Sequence, residues 1–297
     1  MNLTSQYIIN PKSREAYLES LASHKTIRPT ITRLRMSDDR YVLNSRKRAS
    51  FQVEGIGFNM LYCPRGRFMM DDEKTLTAIE RPFLLGETEV TQELFEKVMG
   101  FNSSNFQGGN YPNSNQRPVE MVTSYDAMMF CNKLSLKLGK RPYYNISSVA
   151  YKKETVKSKT KKLPNIQTAN VTINPQANGF RLPYSKEWEY AAKAGTNNKY
   201  AGVNDDQFDQ VAWFEDNSND QTHPVKGKRP NEWGFYDMIG NIWELCYDED
   251  DLQVKRKVHG CSWDDKAYSL ISGKWKFTTD GYASRYIGFR ISASLVK

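Results

Sequence analysis

Asn178 to Gly195 reads NGFRLPYSKEWEYAAKAG, and Trp233 to Glu244 reads WGFYDMIGNIWE. In the first stretch Pro183 sets the turn into a helix, Ser185 is its expected cap and Gly195 ends it. Trp188, Tyr190, Ala191 and Ala192 supply the packing side, while Glu187 and Glu189 sit in the first turns, where the helix dipole favours a carboxylate. Arg181 stands ready to pair with such acids. In the second stretch Gly234 and Gly240 permit tight turns, and Trp243 is a core plug. These readings describe few helices and many loops, with buried aromatics holding the loops in order.

Outward from there the same texture continues. VEGIGFNMLYCPRGRFMM, from Val53, reads as two strands around Pro64-Arg65-Gly66. Glu87 to Met99 predicts an amphipathic helix capped by Thr91, with Leu94, Phe95, Val98 and Met99 at helical spacing. Asn102 to Arg117, rich in Asn, Ser, Gly and Pro, is a loop. A second helix follows Thr123, with Ala127, Phe130, Cys131, Leu134 and Leu138 on one face and Gly139 as its stop. Residues 141–178 read as an insertion, a β-hairpin with a basic tip. Residues 1–50 read as a polar N-terminal extension with one helix over Ser13–His24. Residues 51–297 are then a single domain.

The 297 residues carry a formal charge of +8, much of it in Tyr151 to Lys162 and Ser45 to Arg48. Basic runs without interleaved aromatics are solvated loops rather than a nucleic-acid surface. No stretch approaches the roughly 18 apolar residues of a membrane span, and the sequence from Met1 shows no export signal. Cys63, Cys131, Cys246 and Cys261 have neither disulfide-framework nor zinc spacing.

In the order FLLGETEVTQELFEKVM (from Phe83), RPVEMVTSYDAMMFCNKL (from Arg117), the two opening stretches, GCSW (from Gly260) and IGFR (from Ile287), the chain resembles the formylglycine-generating enzymes, or sulfatase-modifying factors. The resemblance covers about Phe51 to Ile291. It implies an α+β, C-type lectin-like fold with few short strands and helices and many ordered loops.

The departures from that family bear on chemistry. Its enzymes oxidise a substrate cysteine with two closely spaced cysteines after the Gly-Ser-Trp motif, where thiolates bind copper. Here no cysteine follows Cys261, and Cys261 itself replaces the second glycine of the usual Gly-Gly-Ser-Trp. A second branch, the iron-dependent sulfoxide synthases, uses a His-x3-His-x-Glu cluster. His24, His223 and His259 have no such spacing. His259 and Cys261 share one strand face, but no orienting acid stands out, so the pair reads as structural. The expectation is a protein that is not an enzyme and requires no cofactor. The resemblance also implies a structural Ca2+ on the side chains of Asp237 and Glu244 and the carbonyls of Gly240 and Ile242, against a plainer reading as turn cap and ion pair.

Between GCSW and IGFR, Tyr268, Trp275, Phe277, Tyr282 and Tyr286 are mixed with Ser, Asp, Gly and Thr, a paratope-like composition. This segment resembles that of the variable proteins of diversity-generating retroelements, treponemal ones included. The resemblance implies a diversified ligand-binding face over about 263–286, with Asp264, Asp265, Tyr268, Ser269, Phe277, Tyr282 and Tyr286 as contacts. Adenine substitution of Asn codons does not reach Trp or Lys, so Trp275 is a contact without being a varied position. The plainer alternative makes these aromatics core. The implied protein is a monomeric display protein at a bacterial surface, held by a lipid anchor absent from this chain, with a protein or glycan ligand and no nucleic acid. The alternative function is an enzyme or enzyme-like regulatory domain of the sulfatase-modifying-factor family.

Overall fold

The computed structural model describes residues 32–33, 42–43, 47–70, 75–156, 159–196, 201, 207–248, 255–270 and 274–295. The helix expected over Ser13–His24, most of the extension 1–50 and the hairpin tip at 157–158 lie outside them. The regular elements, in chain order, are β1 (Arg48–Val53), β2 (Ile56–Cys63), β3 (Gly66–Met69), β4 (Leu76–Ile79), β5 (Phe83–Gly86), α1 (Gln92–Met99) and α2 (Ser124–Lys137). They continue with β6 (Tyr144–Val156), β7 (Lys159–Ile173), β8 (Phe180–Arg181) and α3 (Ser185–Lys193). The last are β9 (Trp243–Leu245), β10 (Lys255–His259), β11 (Trp275–Thr279), β12 (Ile287–Gly288) and β13 (Ser292–Ser294). No described helix is long and apolar enough to cross a membrane.

Two sheets organise the domain. A five-stranded antiparallel sheet has the order β8-β13-β5-β2-β1, so the last strand of the chain lies inside a sheet begun at Arg48. The sheet therefore starts three residues before the boundary expected at Phe51. A four-stranded sheet, order β11-β10-β9-β12, joins β9 to β12 in parallel and makes β11 an edge. The strands flanking Pro64-Arg65-Gly66 form as expected but do not pair with each other. β2 pairs with β1 and β5, and β3 pairs with β4. Burial decides this: β5 is buried throughout, so it must lie between strands.

The helices follow their local signals, with differences at their starts. Thr91 Oγ1 accepts the Leu94 amide at 3.3 Å, and α1 begins at Gln92 rather than Glu87. Thr123 and Asp126 form a reciprocal capping box at the start of α2. Ser185 is the first residue of α3 rather than its cap. Its hydroxyl donates to Asp248 at 2.7 Å, while Glu187 accepts the Tyr184 amide at 3.1 Å. The expected insertion is a hairpin, β6–β7, whose base is built into the domain. Asn132 on α2 exchanges hydrogen bonds with the backbone of Tyr144, and Asp126 accepts from Asn165 and from the Ile166 amide.

The core is rich in aromatic rings and crossed by charge. Phe95 and Phe130 stack at 5.6 Å, and both meet Phe289 edge-on. Arg181 forms a fork with Glu187 at 2.7 Å on both nitrogens, as the sequence suggested, and Arg290 does the same with Glu244 at 2.6 Å.

Candidate functional site

The segment from Trp263 to Tyr286 leaves the core after a tight turn, crosses the surface and returns at β12. Trp263 is buried at the start, 5.4 Å edge-on to Phe106, and Tyr286 stacks on it at 5.0 Å. Asp265 closes the turn. Its Oδ2 accepts from the Ser262 amide (2.8 Å), the Ser262 hydroxyl (2.7 Å) and Trp243 Nε1 (2.8 Å). Ser269 ends a short 3-10 turn, Ala267–Ser269, and its carbonyl accepts the Cys261 thiol at 3.0 Å. Asp265, Ser269 and Tyr286 are therefore half-buried supports rather than outward groups.

The remaining expected contact residues are exposed. Tyr268 is 76% accessible, Tyr282 53%, Phe277 50% and Trp275 37%, and Asp264 is exposed beside them. These values decide against a core role for the four aromatics, which an apolar core would have buried. They do not all point one way. Trp275 pairs in register with His259 and Phe277 with Lys257, so those four residues share one side of the strand pair. Lys276 alternates to the other side, where its Nζ lies 4.2 Å from the Trp243 ring. The face toward Asp265 and Tyr286 thus receives Lys276, not Trp275 or Phe277.

Three cations belong to this surface and escaped the composition argument. Lys276 covers Trp243, Lys257 Nζ is 5.1 Å from the Trp275 ring, and Arg285 lies over both Trp263 (5.2 Å) and Tyr286 (5.0 Å). For Lys276 the available signal was its place between Trp275 and Phe277. Burial lowers the Lys276 ammonium pKa, and nearby Asp265 opposes that shift. Cations held over indole and phenol rings offer a ligand both flat apolar area and positive charge.

Beneath the face lie groups that could have carried chemistry. His259 is fully buried against Trp188, ring centroids 5.1 Å apart, and neither ring nitrogen has a partner. Burial depresses its pKa to about 3, so the ring is neutral. Cys261 is also buried, its thiol pushed up by burial and committed to the Ser269 carbonyl. Cys261 lies beyond the end of β10 at a φ of 65°, so it does not share a strand face with His259; one is a neutral thiol, the other a neutral imidazole. Glu120, under Phe106, accepts the Phe106 amide at 2.8 Å while its Oε2 has no partner. Burial raises its pKa to about 8, and the Phe106 and Asn105 amides oppose that rise.

The four residues expected to hold calcium come together without forming an oxygen cage. Glu244 is clamped by Arg290 through both oxygens and also accepts Trp188 Nε1 at 2.7 Å. Asp237 Oδ2 accepts the Lys226 amide at 2.9 Å, and the Gly240 carbonyl accepts the Ile242 amide at 2.8 Å. The Arg290 guanidinium already supplies the positive charge. Among the described residues no group of three His, Cys, Asp or Glu is placed to hold a metal. As folded, this donor set does not fit Ca2+, which takes six to eight oxygens.

A family model for the sulfatase-modifying factor enzyme 1-like domain matches residues 50–295. The chain belongs to that family. The α+β, C-type lectin-like fold expected from its motifs is the fold observed. Among solved structures, Treponema denticola variable protein 1 superposes with a TM-score of 0.71 at 30% identity, covering 83% of this chain and 99% of that one. Among curated relatives, the chaperone protein LppX of Paenibacillus barcinonensis is 39% identical over 186 residues, 56% of this chain. The inactive C-alpha-formylglycine-generating enzyme 2 of Bos taurus is 32% identical over 134 residues, 39% of this chain. The chain spans 62% of the length of the first of these relatives and 44% of the second. An inactive relative and a variable protein fit a sulfatase-modifying-factor scaffold without catalysis. All four cysteines of this family member are buried and free.

Proposed function

We propose that this member of the sulfatase-modifying-factor family is a non-catalytic ligand-binding display protein. Its recognition face is the surface segment between Trp263 and Tyr286, diversified by a retroelement. The observation that carries the reading is the exposure of Tyr268, Trp275, Phe277 and Tyr282 on one segment whose two ends are anchored in the core. Exposed aromatics of this kind supply contact area at low entropic cost, and the bonds of Asp265 to Ser262 and Trp243 fix the turn from which their segment starts. The similarity to a variable protein across nearly its whole length supports the same reading.

The ligand in this proposal is a protein, not a nucleic acid. A relative that is a chaperone protein favours a polypeptide over a glycan. The protein acts as a monomer at a bacterial surface, held by a lipid anchor, and needs no catalytic cofactor.

The test is to sequence the DNA around the gene. A nearby partial copy of the codons from about Trp263 to Tyr286, differing at adenines and accompanied by a reverse transcriptase gene, is the expected result. No copy and no such gene would end the diversification reading. A neighbouring sulfatase or kinase gene would instead point to an enzyme-like regulatory domain.

A further inference from the structure

An open groove of about 600 Å³ runs between α2 and the middle of the β6–β7 hairpin, where Tyr151 pairs with Ile166. Met99, Phe101, Met129, Tyr151, Pro164 and Ile166 line it, with Lys133 as the charged member of the lining among the described residues. That volume falls within the range of small-molecule pockets, roughly 300–1,000 Å³. Its walls are fixed. The hairpin base is bolted to α2 by the Asn132–Tyr144 exchange at 2.7 and 3.1 Å, and by Asp126 accepting from Asn165 and Ile166 at 2.8 and 2.9 Å. Phe101 is held edge-on to Phe95 at 5.5 Å. The two methionines are the adaptable part of the lining, able to follow an irregular apolar shape.

Charge selects the occupant. Lys133 Nζ donates to the Met99 carbonyl at 3.4 Å, a long bond that leaves the ammonium donors to spare at the groove. No carboxylate lines the groove among the described residues. Among the described residues the trough is apolar with one cation and no anion, which matches a ligand with an apolar body and one negative head.

We infer that this groove binds a single-chain amphiphile with a carboxylate head, a fatty acid, whose chain lies along Met99, Phe101, Met129 and Ile166 and whose carboxylate meets Lys133. The inference does not depend on the recognition face, since none of its residues lies between Trp263 and Tyr286.

The test is calorimetric titration of the full chain with dodecanoate below its micelle concentration. Methionine methyl resonances of Met99 and Met129 report the position of the ligand. Saturable one-to-one binding that shifts both resonances is expected. Lys133→Met should weaken it at least tenfold, Lys133→Arg should restore it, and Met129→Trp, which fills the trough, should abolish it. Thermal melts of each variant show that the fold is intact, and Lys133→Met, at a half-buried position, keeps the test open if Met129→Trp fails to fold. Binding of dodecyltrimethylammonium as tight as that of dodecanoate overturns the inference. So does indifference to Lys133→Met, the absence of saturable binding, or an apolar peptide occupying the groove where dodecanoate does not.

Discussion

Cys261 has φ of 65°, in the left-handed region where a Cβ meets steric resistance. It occupies the position at which the family motif has glycine, so the sequence departure and the backbone strain are one fact. Its thiol bond to the Ser269 carbonyl ties the strained turn to the start of the recognition segment. His259, two residues earlier, sets a pH dependence. Its folded pKa of about 3 lies below the ordinary value of 6.5, so between these limits the unfolded chain binds the extra proton. Stability therefore falls as pH drops through 6.5, by about 2 kcal/mol between pH 7 and pH 5 from this residue alone. Glu120 works in the opposite sense. Its pKa of about 8 lies above 4.5, so its contribution is present at low pH and lost as pH rises toward 8. Urea denaturation at pH 7 and pH 5 should show a smaller acid loss for His259→Phe, which keeps the ring stack on Trp188. Equal losses in both proteins would remove His259 as the cause.

Among the elements, β11 and the turn before it separate support from contact. Phe277→Ala and Tyr282→Ala remove exposed rings and should change unfolding free energy by no more than about 0.5 kcal/mol. Asp265→Ala strips partners from Trp243 Nε1 and the Ser262 amide and hydroxyl, and should cost about 1–3 kcal/mol. Denaturant melts of the three variants check both statements. A large loss for Phe277→Ala would mean that its ring is part of the core. The β9 and β12 pair depends on Arg290, which joins Glu244 to the Gly86 and Tyr236 carbonyls. Glu89 and Asp237 lie close enough to Glu244 for their charges to repel, and burial together with that repulsion raises the Glu89 pKa well above its ordinary value. Arg290→Met would leave Glu244 buried without its cation, and a loss of about 3–5 kcal/mol is expected in the same melts.

For the whole molecule, the charge balance around Arg290 bears on calcium. Because the guanidinium already neutralises Glu244, adding millimolar Ca2+ or EDTA should leave the melting temperature unchanged, as checked by calorimetry. A rise of several degrees with Ca2+ would show that the turn rearranges into a metal cage. The sequence by itself determined the three described α-helices, because helical spacing and a cap such as Thr91 are local and need no distant partner. It also determined the family, and it offered Arg181 an acidic partner without naming which; the structure chose Glu187. Composition marked Tyr268, Phe277 and Tyr282 as candidate contacts rather than core, and all three are exposed. Only the tertiary structure decided that β2 pairs with β5 rather than β3, and that Lys276 rather than Trp275 faces Asp265. It also gave Glu244 an arginine partner, at a separation of 46 residues. The physical reason is that register and charge pairing are set by which buried surfaces meet. Residues distant along the chain supply those surfaces, so no local window contains the information.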